Sequence, residues 1–231
     1  MSTRKKIFFV VLFIIIDVFL ITGFFVLRNS VMVSIIDKET NKLATLDLAT
    51  DRFNLKIRTV GKYKNVEDCM KSYLDNIALT LQDSLLIVKN PELTKILSYE
   101  NYEKDGPDFT QSLSFLEKSS NDFNTNFDIL LNSLDEESIR SYGKEKIKDG
   151  YYQNLFNRFM LRDDMKDKYQ KTSLLLKDSK SNINHIFETS YRTLTFLVSH
   201  KDEWQLENNE IQFKTDELMN EYNSLISSLK E

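Results

Sequence analysis

Proline and glycine are scarce in this chain, which has two prolines and five glycines among 231 residues. Folds built from many short strands need these residues at their turns, so the scarcity favours long helices. Cysteine is scarcer still. The single cysteine, Cys69, excludes an intrachain disulfide. Its helical spacing with Val66, Tyr73 and Ile77 predicts a thiol buried in the core.

An excess of positive charge is also missing, because 31 basic residues face 35 acidic ones and the formal net charge is −4. A protein that binds nucleic acid usually carries a basic patch that neutralises phosphates. Here the two signs are mixed along the whole chain, so we expect no nucleic-acid partner. The same balance argues against a second, electrostatic attachment of the chain to a membrane.

Motifs that carry chemistry are absent as well. The chain has no phosphate-binding loop, dinucleotide-binding turn, nucleophile elbow or zinc-binding His-Glu-x-x-His sequence. Its two histidines are His185 and His200, and His185-x-x-Glu188 reverses the order found in di-iron bundles. The acidic pairs Glu136-Glu137 and Asp163-Asp164 are typical of solvated helix ends. We therefore predict no catalytic residue, no metal site, no cofactor and no enzymatic activity.

One long apolar run is present, at residues 7–27, where only Asp17, Thr22 and Gly23 are not strongly apolar. A helix needs about 20 such residues to cross a bilayer. The run is longer than a secretory signal and no small-residue cleavage site follows it, which favours an uncleaved anchor; cleavage is the alternative. Three basic residues in 1–6 precede the run. The positive-inside rule then predicts a single-pass protein with residues 1–6 in the cytoplasm and the body outside.

Asp17 lies at the middle of this run. An acidic residue there costs about 2.5–3.5 kcal/mol on insertion scales, which the surrounding apolar residues more than offset. Two interpretations stay open. Asp17 is either a tolerated polar residue or a contact with a partner helix, through self-association or a second protein.

Residues 28–62 are predicted to be a membrane-proximal hairpin or extended linker. Val31, Val33 and Ile35 alternate with other residues at the period of a strand, as do Leu46 and Leu48. We predict strands at 31–36 and 43–48 around a turn, with a possible third strand at 53–57. The alternative is a helix that continues from the membrane to about residue 58.

Residues 63–231 show helical periods throughout and predict an antiparallel bundle of four or five long helices. Asn90-Pro91 and Gly106-Pro107 interrupt the pattern, and Gly143 and Asp149-Gly150 predict a kink or short loop. The last segment, 204–229, has heptad spacing typical of a coiled coil. Asn208 and Thr215 fall on its seam, so we predict that they fix register or oligomeric state.

The fold class is thus mainly α, with an N-terminal transmembrane helix, a short hairpin and a helical bundle. The predicted function is an interaction or structural component of the cell envelope, with the membrane and a protein partner or second copy as contacts. The alternative is an extracytoplasmic sensor or substrate-binding module that works through a membrane partner, its small-molecule ligand unidentified. The excess of Lys over Arg, with many Asn, Ile and Phe residues, suggests a low-GC bacterium.

Overall fold

The chain folds into a mainly helical protein with one small two-stranded sheet. The computed structural model describes residues 3–48 and 56–230, with the side chains of 22–48 and 56–229. In chain order, the elements are α1 Thr3–Thr45, α2 Lys62–Val88, α3 Pro91–Thr94, α4 Tyr99–Asp105, α5 Thr110–Ser133, α6 Glu136–Lys146, α7 Gly150–Met160, α8 Asp163–Ser199, β1 Trp204–Glu207, β2 Glu210–Phe213, α9 Asp216–Ser227 and a final 3-10 turn Ser228–Lys230.

These elements form two compact units. Unit 1 comprises Met1–Asp75 and Ile139–Lys166, and unit 2 comprises Asn76–Ser138 and Asp167–Glu231. Within the part of the chain that the structure describes, no helix is both long and apolar enough to cross a membrane. The side chains of residues 7–21, which hold most of the predicted anchor and include Asp17, lie outside the described residues.

The structure of residues 28–62 differs from the prediction, because α1 extends through much of this segment. Residues 31–45 are helical, so the predicted hairpin at 31–36 and 43–48 is wrong. An alternation over five residues is weak evidence for a strand when a helix precedes it directly. Extending that helix costs far less free energy than nucleating a new element. The alternative, a helix reaching about residue 58, is closer, but α1 ends at Thr45. The predicted third strand falls mostly on residues 49–55, which lie outside the described residues.

The environment of α1 changes along its length. Phe24 to Leu27 are four consecutive apolar residues, each between 60% and 69% exposed. Since successive residues point about 100° apart, these four cover every side of the helix. Further on, Ile36, Thr40 and Leu43 are buried at the three- and four-residue spacing of one helix face. The apolar core of unit 1 packs against that face.

The core of unit 1 is completed by α2, α6 and α7. Its large buried side chains are Tyr63, Val66, Met70, Tyr73, Leu74, Ile139, Leu155, Phe156, Phe159 and Met160. Cys69 is buried on α2, as predicted. Gly143 lies inside α6 and not at a break, because the ring of Phe156 occupies the space where a side chain would be. The predicted loop before Gly150 is confirmed, and Asp149 caps α7 there.

In unit 2, the predicted break at Asn90-Pro91 is the start of α3. Asn90 caps α3 by accepting from the backbone N–H of Glu92, with Pro91 in the first position. The ring of Phe123 contacts those of Phe127 and Phe187 at tilted angles in the core formed by α5 and α8. Helices α5 and α8 are both long, in agreement with the helical periods predicted for residues 63–231.

The end of unit 2 departs from the prediction. Trp204 to Phe213 form an antiparallel hairpin, not a heptad helix. Asn208 and Asn209 make its two-residue turn with φ of 53° and 63°, a conformation that Asn tolerates well. Trp204 and Phe213 face each other in the register. Over so few residues, the period of two of a strand also fits the spacings of three and four that predict a heptad helix. Helix α9 begins only after Thr215, which caps it.

The contact of Gly143 with Phe156 generates a prediction about packing. A Cβ added to Gly143 would lie 2.6 Å from Cε1 of Phe156, a fully buried ring that has no room to move. We expect Gly143→Ala to lower the free energy of unfolding by about 1–3 kcal/mol, the usual cost of overpacking. Denaturant unfolding followed by circular dichroism measures this change.

The matched control is Gly150→Ala, because nothing lies within 4 Å of a Cβ added to Gly150. This variant should unfold at or slightly above the wild-type midpoint. Equal midpoints for the two variants would contradict the close packing of α6 against α7.

Candidate functional site

The side chain of Lys71 carries a positive charge into the core of unit 1. Only 3% of it is exposed. Its ammonium donates to Oε2 of Glu39 at 2.8 Å, to Oε1 of Glu67 at 2.7 Å and to the backbone O of Lys56 at 2.7 Å. An ammonium has three protons to donate, so every one has an acceptor. We call Lys71, Glu39, Glu67 and the backbone of residues 56–59 the ion cluster.

Glu67 is the most buried carboxylate of the ion cluster, with 1% of its side chain exposed. Besides Lys71, it accepts from the backbone N–H of Arg58 at 2.9 Å and of Thr59 at 2.8 Å, and from the Thr59 hydroxyl at 2.8 Å. These bonds hold residues 58 and 59 against α2. Because this segment has no regular secondary structure, Glu67 supplies the acceptors that a neighbouring strand would otherwise provide.

Glu39 connects the ion cluster to α1. It lies on the helix face that buries Ile36, Thr40 and Leu43. Its other oxygen, Oε1, pairs with Lys42 one turn further along and with Nε of Arg58 at 3.2 Å. The ion cluster thus joins α1, α2 and the segment before α2 through charged groups.

The pKa values of both carboxylates reflect these contacts. Burial alone would raise the pKa of Glu67, but hydrogen bonds from Lys71 and from the N–H groups of Arg58 and Thr59 outweigh it and lower the pKa. Burial opposes Lys42 and Lys71 in the same way at Glu39, and the pKa of Glu39 is again lowered. Both groups are therefore carboxylates at neutral pH.

Arg162 holds α1 at a second place. Its guanidinium donates to Asp37 at 2.7 Å and to Asn41 at 2.6 Å, two α1 residues one turn apart. The same group forms a fork with both oxygens of Asp164 in the first turn of α8. Hydrogen bonding from Arg162 lowers the pKa of Asp164. Residues 37–42 of α1 are therefore fixed from two directions within unit 1.

This arrangement can position helices but offers no reacting group. The Lys71 protons are all bonded and the Glu67 carboxylate is enclosed, so no polar atom of this pair is left to bind a substrate. Among the residues that the structure describes, no three His, Cys, Asp or Glu side chains are grouped to hold a metal ion. The ion cluster is a structural junction.

The residues predicted from the sequence to make contacts are distributed differently. Asp17 lies outside the described side chains, so its partner contact stays a prediction. Asn208 lies in the β1–β2 turn, and the hydroxyl of Thr215 accepts from the N–H of Leu218 at the start of α9. Neither lies within a helix, so the predicted heptad helix is wrong at both positions. Their role in register or oligomeric state stays a prediction.

The histidines and the cysteine have ordinary structural partners. His185 donates to the backbone O of Ser228 at 2.8 Å, and His200 donates to the backbone O of Phe196 at 2.9 Å. Burial, followed by the negative charge of Asp68, raises the pKa of Cys69 to about 12. The thiol therefore stays protonated at neutral pH and is a poor nucleophile.

Reasoning from the sequence missed the ion cluster. One signal was available, because Glu67 and Lys71 lie four residues apart and next to the buried positions Val66 and Met70. Charges at such positions are close to the core and need partners. Glu39, the missing partner, falls in the turn of the wrongly predicted hairpin. That prediction gives no reason to pair it with Lys71.

Comparisons of the chain with models of protein families, with curated proteins and with solved structures found no match.

The burial of Lys71 generates a prediction about stability. Lys71→Met leaves the carboxylates of Glu39 and Glu67 buried without their shared cation. We expect a loss of about 3–5 kcal/mol in the free energy of unfolding, as is usual when one partner of a buried pair is removed. Urea unfolding of the full chain in detergent, followed by circular dichroism, measures it.

Lys95→Met is the matched control, since Lys95 also pairs with a carboxylate, Glu100, at 2.8 Å, but on the surface. Its unfolding midpoint should equal that of the wild type. A similarly small effect of Lys71→Met would show that the ion cluster does not stabilise unit 1.

The lowered pKa of Glu67 generates a prediction about pH. A carboxyl whose folded-state pKa is below its ordinary value of 4.5 stabilises the fold above that value, and the contribution is lost as pH falls through the folded-state pKa. Glu67→Gln has no charge to lose. The wild-type advantage over Glu67→Gln should therefore be largest near about pH 7 and shrink below about pH 4.5. An advantage that stays constant in denaturant titrations across this range would rule out a titrating Glu67.

Proposed function

We propose that this chain is a single-pass membrane protein whose extracytoplasmic helical body is an interaction or structural component of the cell envelope. The observation that carries the proposal is the exposure of Phe24 to Leu27 on every side of α1. A helix that is apolar all round needs apolar surroundings, which are a protein core or a bilayer. Unit 1 does not cover this turn, and the apolar run of residues 7–27 makes a bilayer the fitting surroundings.

The orientation in this proposal follows from charge. Arg4, Lys5 and Lys6 precede the apolar run and Arg28 follows it. The side with more basic residues stays in the cytoplasm, so the body lies outside. In the proposed arrangement the helical body lies on the outer face of the membrane.

The length of α1 supports a mechanism based on position. Its 43 residues span about 64 Å at 1.5 Å each, whereas a hydrocarbon core is about 30 Å thick. About 27 Å of the same helix, residues 28–45, then continues into unit 1, where the ion cluster and Arg162 fix it. The anchor and the first helix of the body are thus one continuous helix. Confinement to the membrane surface raises the effective concentration of the body near partners in that membrane.

The experiment is chemical crosslinking of the full chain in its native membrane, followed by purification and identification of bound proteins. We expect a crosslinked protein or a second copy, and a clear loss of that product with Asp17→Leu, since an acidic residue at the centre of a span usually contacts a partner. Gly23→Ala in the same run is the matched control and should crosslink like the wild type, because the space around Gly23 is open.

Extraction at alkaline pH tests the membrane anchor separately from the interaction role. The chain should stay in the membrane fraction in all three forms. Release of the wild type would overturn the anchor, whereas retention without any crosslinked protein would overturn the interaction role.

A second candidate function is a ligand-binding module, favoured by a pocket of about 330 Å³ in unit 2 between α3, α4 and the start of α5. Lys95, Glu100 and Asp105 line it. Two of these already pair with each other, and Asp105 accepts from the N–H groups at the start of α5. These three charged groups already have partners, and we therefore rank the module second. A specific small-molecule increase in melting temperature would favour it over the first proposal.

A further inference from the structure

Two loops of unit 1 reach α1 just beyond the end of the apolar run. Asn29 donates from its side chain to the hydroxyl of Tyr151, at 3.4 Å, in the first turn of α7. Gly61, at the start of α2, lies beside Arg28, since a Cβ added there would be 3.4 Å from the guanidinium. The beginnings of α2 and α7 therefore lie at the level of residues 28–29.

This level can be placed relative to a bilayer. If the hydrocarbon core ends near Leu27, residues 28–29 lie within about 3 Å of it at 1.5 Å per residue. The headgroup layer outside the core is about 5–7 Å thick on each side. The loops at residues 60–62 and 149–151 then lie in the headgroup layer. Ile36 is the first fully buried residue among the described side chains of α1, and it lies about 13 Å beyond Leu27 and outside the headgroup layer.

The surface at this end of unit 1 has the composition of a membrane interface. Val60 is 53% exposed and Tyr151 is 51% exposed, with Val31 of α1 close to the same level. Tyr rings are enriched at headgroup depth because one end is apolar and the other forms hydrogen bonds. We call Val60, Gly61, Lys62, Gly150 and Tyr151 the rim.

The charge of the rim also fits lipid. Lys62 belongs to the rim, and Lys64 follows it in the first turn of α2. Asp149, the carboxylate beside the rim, is paired with Lys62 at 2.8 Å. Arg28 adds a positive charge at the same level. Each basic residue near an anionic surface contributes about 1 kcal/mol of attraction, so the local excess favours lipid phosphates although the whole chain is acidic.

We propose that the rim of unit 1 rests in the lipid headgroup layer of the membrane that holds α1. The inference rests on the proposed anchor and adds a second point of attachment. A tilt of the anchor in the bilayer would tilt the body with it, whereas a rim contact fixes that tilt and the side of unit 1 that faces the lipid.

The test uses single cysteines labelled with an environment-sensitive fluorophore in the full chain, reconstituted in nanodiscs that contain anionic lipid. Val60→Cys reports on the rim. Lys38→Cys is the matched control, an exposed position on α1 about 16 Å beyond Leu27. The native Cys69 does not interfere, because its thiol is buried and stays protonated.

We expect the label at position 60 to emit at shorter wavelength than the label at 38. Nitroxide groups on the lipid headgroups should remove roughly half of its emission, since label and nitroxide share one layer. The label at 38 should lose little. Water-like, unquenched emission at 60 would overturn the inference. Short-wavelength emission without quenching would also overturn it, because a second copy or another protein would then cover the rim.

Alkaline extraction of the same labelled chains distinguishes this inference from the anchor on which it rests. Retention in the membrane with a water-like label at 60 removes the rim contact and leaves the anchor in place. Release from the membrane removes both.

Discussion

The buried ammonium of Lys71 is the constraint on which the structure of unit 1 depends. A charge inside a core is costly unless it is paired and fully hydrogen-bonded, and Lys71 meets this condition only when three separate segments are in place. Glu39 brings α1, Glu67 is part of α2, and the carbonyl of Lys56 brings the segment between them. Apolar packing alone is compatible with several positions of α1. The three N–H bonds of the Lys71 ammonium reach their three acceptors in only one of them.

The sequence predicted the helices best where a capping residue or proline marked an end. Asn90-Pro91 and Asp149-Gly150 are such places, because the chemistry of the cap is local and needs no knowledge of the fold. Residues 31–45 and 204–213 were predicted with the wrong period. Each is short and apolar enough to satisfy both periods over a few residues, and only neighbours distant in the chain decide between them. For α1 the neighbours are Lys71 and Arg162, and for the hairpin they include Phe109, which stacks on Trp204.

The candidate site was the least predictable part for a related reason. Every member of the ion cluster is a common charged residue, and solvated charge is the ordinary interpretation of such residues. What distinguishes Glu67 and Lys71 is their position beside Val66 and Met70 on the buried side of α2. That position can be seen in the sequence. The ion pair cannot, because the partner of Lys71 lies 32 residues away in the chain. Pairings of this kind are set by tertiary structure, which no local pattern encodes.

The two sets of contacts on residues 37–42 of α1 have a mechanical consequence. A receptor that passes a signal along a membrane helix does so by sliding or rotating that helix against its neighbours. Sliding α1 by one turn would move it by 5.4 Å and carry Glu39 away from Lys71, and rotation would turn Asp37 and Asn41 away from Arg162. Rotation would also carry Glu39 away, so either motion leaves the buried ammonium of Lys71 without one of its acceptors. Both sets of contacts therefore hold α1 in one position within unit 1. In the proposed membrane arrangement, a change in the body would then reach the membrane only by movement of the whole of unit 1.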